Sequence, residues 1–121
     1  MARARHMTSP FAAILSGLIR HRAVTGCLVV DGRDGVIVDA YLQLGVDGAT
    51  VAALAASVYR KAQQAAGAAG FGDIGFLELD AEHGRFCAVG RSGLVLVLVG
   101  ESGMNVGLVR VQMLRALEEF G

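Results

Sequence analysis

Leu94-Val-Leu-Val-Leu-Val99 restricts this chain more than any other stretch. It has no polar face, so as a strand it must be covered on both sides and sit inside a sheet. A membrane-crossing helix needs about 20 apolar residues, so this run is too short to span a bilayer. Cys27-Leu-Val-Val30 carries the same double-faced apolar signature and predicts a second central strand. Both runs are thus expected to be central strands of one sheet, covered by other layers of the chain.

The flanking residues supply those layers. Ser9 and Pro10 predict a helix start, with Ser9 as cap and Pro10 in the first turn. Phe11, Ile14, Leu15, Leu18 and Ile19 then recur on one helical face, and Arg20, His21 and Arg22 close the helix. Asp31 to Gly35 reads as a hairpin turn, and Val36 to Leu42 as the returning strand, interrupted by Asp39. Asp47 opens a long alanine-rich helix running to about Ala69, with Val51, Leu54, Ala55, Val58 and Ala62 as its expected inner stripe. Small side chains on several faces let such a helix pack a sheet on one side and a partner on another. Ile74 to Leu79, Arg85 to Val89 and Leu94 to Val99 are predicted strands joined by turns at Asp80–Gly84 and Gly90–Gly93. Ser102 to Asn105 caps a last helix lined by Val106, Val109, Met113, Leu117 and Phe120. The fold class is therefore α+β, in the order αββαβββα, with an antiparallel sheet. Residues 1–8 are expected to form a flexible N-terminal tail, with Met7 as an alternative start, and residues 9–121 a single domain.

Gly70-Phe-Gly-Asp-Ile-Gly75 spells the dinucleotide fingerprint G-x-G-x-x-G. That motif works only between a strand and a helix whose N-terminus faces the pyrophosphate. Here the order is helix, glycines, strand, so Gly67 and Gly70 are read as helix stops and no NAD or other cofactor is expected. The only lysine, Lys61, lies within the long helix, so there is no Walker loop. Gly100-Glu-Ser-Gly-Met104 lacks the second glycine of a nucleophile elbow. His83, beside Asp80 and Glu82, sits in a turn without a low-dielectric pocket. Cys27 and Cys87 lie far from the three histidines, which argues for buried reduced thiols, no metal site and a cytoplasmic setting. No catalytic residue is assigned. A formal net charge of zero gives no electrostatic case for nucleic acid or an anionic membrane. Hydrophobic residues make up 54% of a 121-residue chain, which favours self-association, because a small domain cannot hide all of its apolar surface.

Three stretches together resemble the roadblock family, the group named for a dynein light chain. They are Phe11-x-x-Ile14-Leu15, Gly26-Cys-Leu-Val-Val-Asp-Gly-Arg-Asp-Gly35 and Asn105-Val-Gly-Leu-Val-Arg110. The resemblance covers about Ser9 to Phe120. It implies a five-stranded sheet ordered 2-1-5-4-3, roadblock/profilin-like, with the long helix on one face and the other two helices on the opposite face. It makes the third strand an edge. That edge has no proline and one interior charge, Glu78, so it is poorly defended against pairing. In roadblock proteins two copies join there. The implied homodimer interface is Ile74, Phe76, Leu77, Glu78 and Leu79 on the strand, with Ala56 and Ala66 on the long helix.

Bacterial members that this chain resembles, the MglB-type regulators, bind a Ras-like small GTPase across the paired long helices. The resemblance thus implies a homodimeric, non-enzymatic regulator or platform for a bacterial Ras-like GTPase, extending to stimulation of GTP hydrolysis. Ser57, Arg60, Lys61 and Gln64 form the expected docking surface. Arg91 is the arginine best displayed for insertion into a GTPase site, although exposed turn arginines are ordinarily just solvated. Arg110 is expected to hold the last helix against the sheet edge or its caps. The chain ends just after that helix, without the tail that touches the GTPase in some relatives, which implies weaker activation. The alternative is a scaffold subunit of a signalling or transport complex with no effect on GTPase activity.

Overall fold

A computed structural model describes residues 9–120, so the expected tail, residues 1–8, lies outside the described residues. The elements are α1 (Ala12–Ile19), β1 (Val24–Asp31), β2 (Ile37–Leu42), α2 (Gly48–Ala68), β3 (Leu77–Ala81), β4 (Gly84–Arg91), β5 (Leu94–Gly100) and α3 (Val106–Leu117), closed by a 3-10 turn, Glu118–Phe120. All strand pairs are antiparallel and the order is β2-β1-β5-β4-β3. Both all-aliphatic strands, β1 and β5, are interior and adjacent, as their composition requires.

Alternation along the strands divides the core in two. Cys27, Val29, Cys87, Leu96 and Leu98 face α1 and α3, where Leu15, Leu18, Val109 and Met113 meet them. Leu28, Val30, Ala88, Val95 and Val97 face α2. Asn105 caps α3 by accepting the Leu108 N–H at 3.0 Å, and Asp47 caps α2 by accepting the Thr50 N–H at 3.2 Å.

Four local expectations need correction. Helix α1 begins at Ala12, two residues beyond Pro10, with Phe11 as its cap residue. Ser9 still organises the entry: its hydroxyl accepts the Phe11 N–H at 3.2 Å and donates to the buried Asp39. Secondly, Gly67 lies inside α2, and Gly70 alone stops the helix. Gly70 takes φ +80°, its N–H reaches the Gly67 carbonyl (3.1 Å), and the Phe71 N–H reaches Ala66 (2.8 Å). That pair of bonds is a Schellman cap, and it accounts for Gly70, the first glycine of the apparent dinucleotide motif.

Thirdly, β3 starts at Leu77, three residues after Ile74. The Ile74 N–H is taken by the Gln63 side chain of α2 at 2.8 Å, so it cannot join a ladder. Ile74 then packs on the α2 side of the sheet and Phe76 on the α3 side. Ile74 and Phe76 thus flank the edge strand and are not part of it.

Lastly, the inner stripe of α2 is Gly48, Ala52, Ala55, Ala56 and Tyr59; only Ala55 was expected there. The reason is close approach. A Cβ on Gly48 would lie 2.6 Å from the Leu42 side chain, and one on Gly90 would lie 2.7 Å from the Tyr59 hydroxyl. The helix sits on the sheet through glycine, alanine and the Tyr59 ring that Gly90 admits, and Leu54 is left on its flank.

Candidate functional site

One helix is about 10 Å across, whereas five strands spaced at about 4.8 Å span more than twice that width. Helix α2 lies mainly over β1, β2 and β5. The β4–β3 side of this face is left as an open groove of about 310 Å³, lined by Val51, Leu54, Leu79, Phe86 and Val99. Leu54 is 48% exposed and Leu79 is 40% exposed, on opposite walls of that groove. Beside it runs the outer edge of β3, which has no partner strand among the described residues. An apolar groove continuous with an unpaired strand is a surface that the described residues leave unfinished.

The expected interface residues are distributed unevenly around this groove. Leu77 and Leu79 belong to the α2 face of β3, whereas Glu78 alternates to the α3 face. Ala56 is 4% exposed and lies beside Gly35 of the β1–β2 turn, so the alanine assigned to a partner contact is buried within the chain itself. Ala66 is partly exposed near the far end of α2. Leu54, which was assigned to the core, is exposed on the wall of the groove. Its apolar spacing resembled core spacing, and only the depth of the glycine and alanine contacts distinguishes the two.

Of the expected docking residues, Arg60, Lys61 and Gln64 are exposed and Ser57 is partly so. Arg60 is fixed in place. Its guanidinium donates to the backbone carbonyls of Gly32 (3.4 Å) and Arg33 (3.1 Å) in the β1–β2 turn. Arg60, Gln63 and Gln64 line one wall of a second cavity of about 400 Å³, floored by Gly32, Gly90 and Val95. Arg91 departs from expectation: its guanidinium donates to the Leu117 carbonyl (3.1 Å), tying the β4–β5 turn to the end of α3 instead of extending away. Arg110 sits 5.1 Å above the ring of Phe76, a cation–π contact that fastens α3 to the segment entering the edge strand. His83 pairs with Glu82 at 3.3 Å in an exposed turn.

Cys27 and Cys87 are unpaired and buried, 0% exposed in each case. Burial, with Asp39 adding to it, pushes the Cys27 thiol up to about 12; burial, with Glu78 and Asp80 adding, pushes Cys87 up to about 11. A raised thiol pKa stabilises the fold below the unfolded value of 9.0 and is lost as pH climbs from there toward 11–12, because only the unfolded chain ionises in that window. Melting temperature is therefore expected to fall between pH 9 and 11, and a Cys27→Ala/Cys87→Ala variant should lose that part of the slope. An unchanged slope would contradict the assignment. Among the described residues, no group of three or more His, Cys, Asp or Glu is placed to hold a metal ion. No described helix is long and apolar enough to cross a membrane.

Residues 10–99 match the Roadblock/LC7 domain. The chain belongs to that family. This Roadblock/LC7 chain is 30% identical over 107 residues to an uncharacterized protein of Methanocaldococcus jannaschii, covering 88% of this chain and 93% of the relative. Two further uncharacterized proteins of the same organism are each 29% identical to it over 107 residues. Among solved structures it is similar to MglB of Myxococcus xanthus, with TM-score 0.80 and 19% identity over 96% of this chain and 94% of that one. It is also similar to the gliding protein MglB of Thermus thermophilus, with TM-score 0.78 and 20% identity over 98% and 94% of the two chains. A roadblock domain from Streptomyces avermitilis superposes with TM-score 0.77 at 19% identity, covering 88% and 90%. The strand order and the helices on both faces of the sheet are those of the roadblock fold.

Proposed function

We propose that this Roadblock/LC7 chain acts as a homodimer, is not itself an enzyme, and serves as a platform that binds a Ras-like small GTPase and regulates its nucleotide state. The observation that carries the dimer is the half-covered α2 face: Leu54 and Leu79 wall an open apolar groove next to an edge strand with no partner among the described residues. A second copy related by a two-fold axis closes both defects at once, since it brings a strand for the edge and a helix for the groove. The paired α2 helices then present Ser57, Lys61 and Gln64, with the anchored Arg60, as one continuous docking surface. Likeness to MglB supports a GTPase as the client.

Mixing the protein with a Ras-like GTPase of the same cell, and following phosphate release, tests this reading. The expected result is a stable complex and a changed hydrolysis rate. No complex at micromolar concentration together with unchanged hydrolysis would contradict it. The tethering of Arg91 to Leu117 favours a milder second reading, a scaffold that holds its client without accelerating chemistry. A complex with unchanged phosphate release would select that reading.

A further inference from the structure

The C-terminal half of α2 and two hairpin turns enclose the second cavity, of about 400 Å³. It shares no lining residue with the groove beside Leu54 and Leu79. Its walls are tied to one another. The Gly32 N–H donates to the Gly93 carbonyl at 2.9 Å, joining the β1–β2 turn to the β4–β5 turn. Arg60 joins α2 to the first of these turns through the carbonyls of Gly32 and Arg33. The Tyr59 ring lies on Gly90, where a Cβ would stand 2.8 Å from the ring carbons. A cavity braced on three sides is formed before anything enters it, which spares a ligand the cost of ordering it.

The polar groups in it are few and of one kind. No carboxylate lines the cavity, and Asp73, whose charge reaches Tyr59, lies outside the lining. Arg33 is neutralised by Asp31 at 3.2 Å, and the Arg91 guanidinium turns away to Leu117. Arg60 keeps an uncompensated charge. Its Nη1 serves the two carbonyls, and its Nε and Nη2 have no partner among the described residues. Two N–H groups on one edge of a guanidinium match the two oxygens of a carboxylate. Tyr59, 8% exposed, supplies a further donor. Its oxygen accepts from the Gln63 amide at 3.3 Å, while the Gln63 carbonyl is taken by the Ile74 N–H at 2.8 Å. The Tyr59 proton therefore has no acceptor among the described residues. Around these donors lie the Tyr59 ring, Val95 and the bare backbone of Gly32, where a Cβ would crowd Val95 at 3.2 Å.

We propose that this cavity binds a small aromatic carboxylate, its oxygens on the free edge of Arg60 and the Tyr59 hydroxyl, its ring over Val95 and Gly32. One uncompensated cation balances one negative charge. A phosphate monoester carries about −1.5 to −2 at neutral pH, more than Arg60 alone can offset. The site needs neither a second copy nor a GTPase client.

Calorimetric titration of the wild-type chain with naphthoate tests the site. Saturable binding with a Kd of about 1 mM or tighter is expected for a ligand of that size. Naphthol keeps the ring without the charge, and acetate keeps the charge without the ring; each should bind at least about tenfold more weakly. Naphthyl phosphate should bind no more tightly than naphthoate. Arg60→Gln and Tyr59→Phe should each weaken naphthoate about tenfold, and Arg60→Gln should leave naphthol unchanged. In the wild-type protein the backbone amide resonances of Gly32, Gly90 and Gly93 should shift as naphthoate is added, which locates the site without any substitution. Absence of saturable binding, naphthol binding as tightly as naphthoate, tighter binding of naphthyl phosphate, unchanged affinity in both variants, or amide shifts confined to other elements would each overturn the proposal.

Discussion

Leu79→Lys should convert the protein from dimer to monomer without unfolding it. Leu79 is 40% exposed in the single chain, and its neighbours there are the walls of an open groove, so lysine costs the isolated fold little. In the dimer the change removes two leucines from the seam and sets two ammonium groups against each other. Together these amount to roughly 3 kcal/mol, which weakens association more than about a hundredfold. Charged residues, lysine above all, are how natural edge strands are kept from pairing. Equilibrium sedimentation checks association, and circular dichroism checks that the fold survives. A variant that remains dimeric would place the interface elsewhere.

The second large effect lies within the fold. Gly100→Ala is expected to cost about 2 kcal/mol, or roughly 10 °C in melting temperature. A Cβ there would stand 2.5 Å from the Ala23 carbonyl oxygen and 2.7 Å from the Met104 sulfur. The sulfur can move, but the carbonyl cannot, because Ala23 O accepts the Glu101 N–H at 2.8 Å where β5 leaves β1. Gly17→Ala is the matched control, since a Cβ there meets nothing within 4 Å. Equal melting temperatures for the two variants would contradict the close approach at Gly100.

Element order, strand directions and the central place of β1 and β5 were legible in the sequence. Two uniformly aliphatic runs and glycine-bearing turns leave few other arrangements. Three features were hidden, each for a tertiary reason. Apolar spacing put Leu54 in the core because periodicity reports which residues share a helix face, and it is silent on how closely that face approaches the sheet. The contacts of Gly48 and Tyr59 decided that. Strand propensity extended β3 back to Ile74, but a side chain eleven residues away, Gln63, holds the backbone group the ladder needed. Arg91 looked displayed because its turn is exposed, while its tether to Leu117 crosses from another element. The site was therefore visible as an edge strand beside an alanine-rich helix, and its shape was set by long-range contacts that local patterns do not encode.

The mass of the wild-type protein in solution, measured by light scattering at micromolar concentration, bears most directly on this account. A particle of twice 12.6 kDa is the expected result. A single 12.6 kDa species at every concentration tested would contradict it.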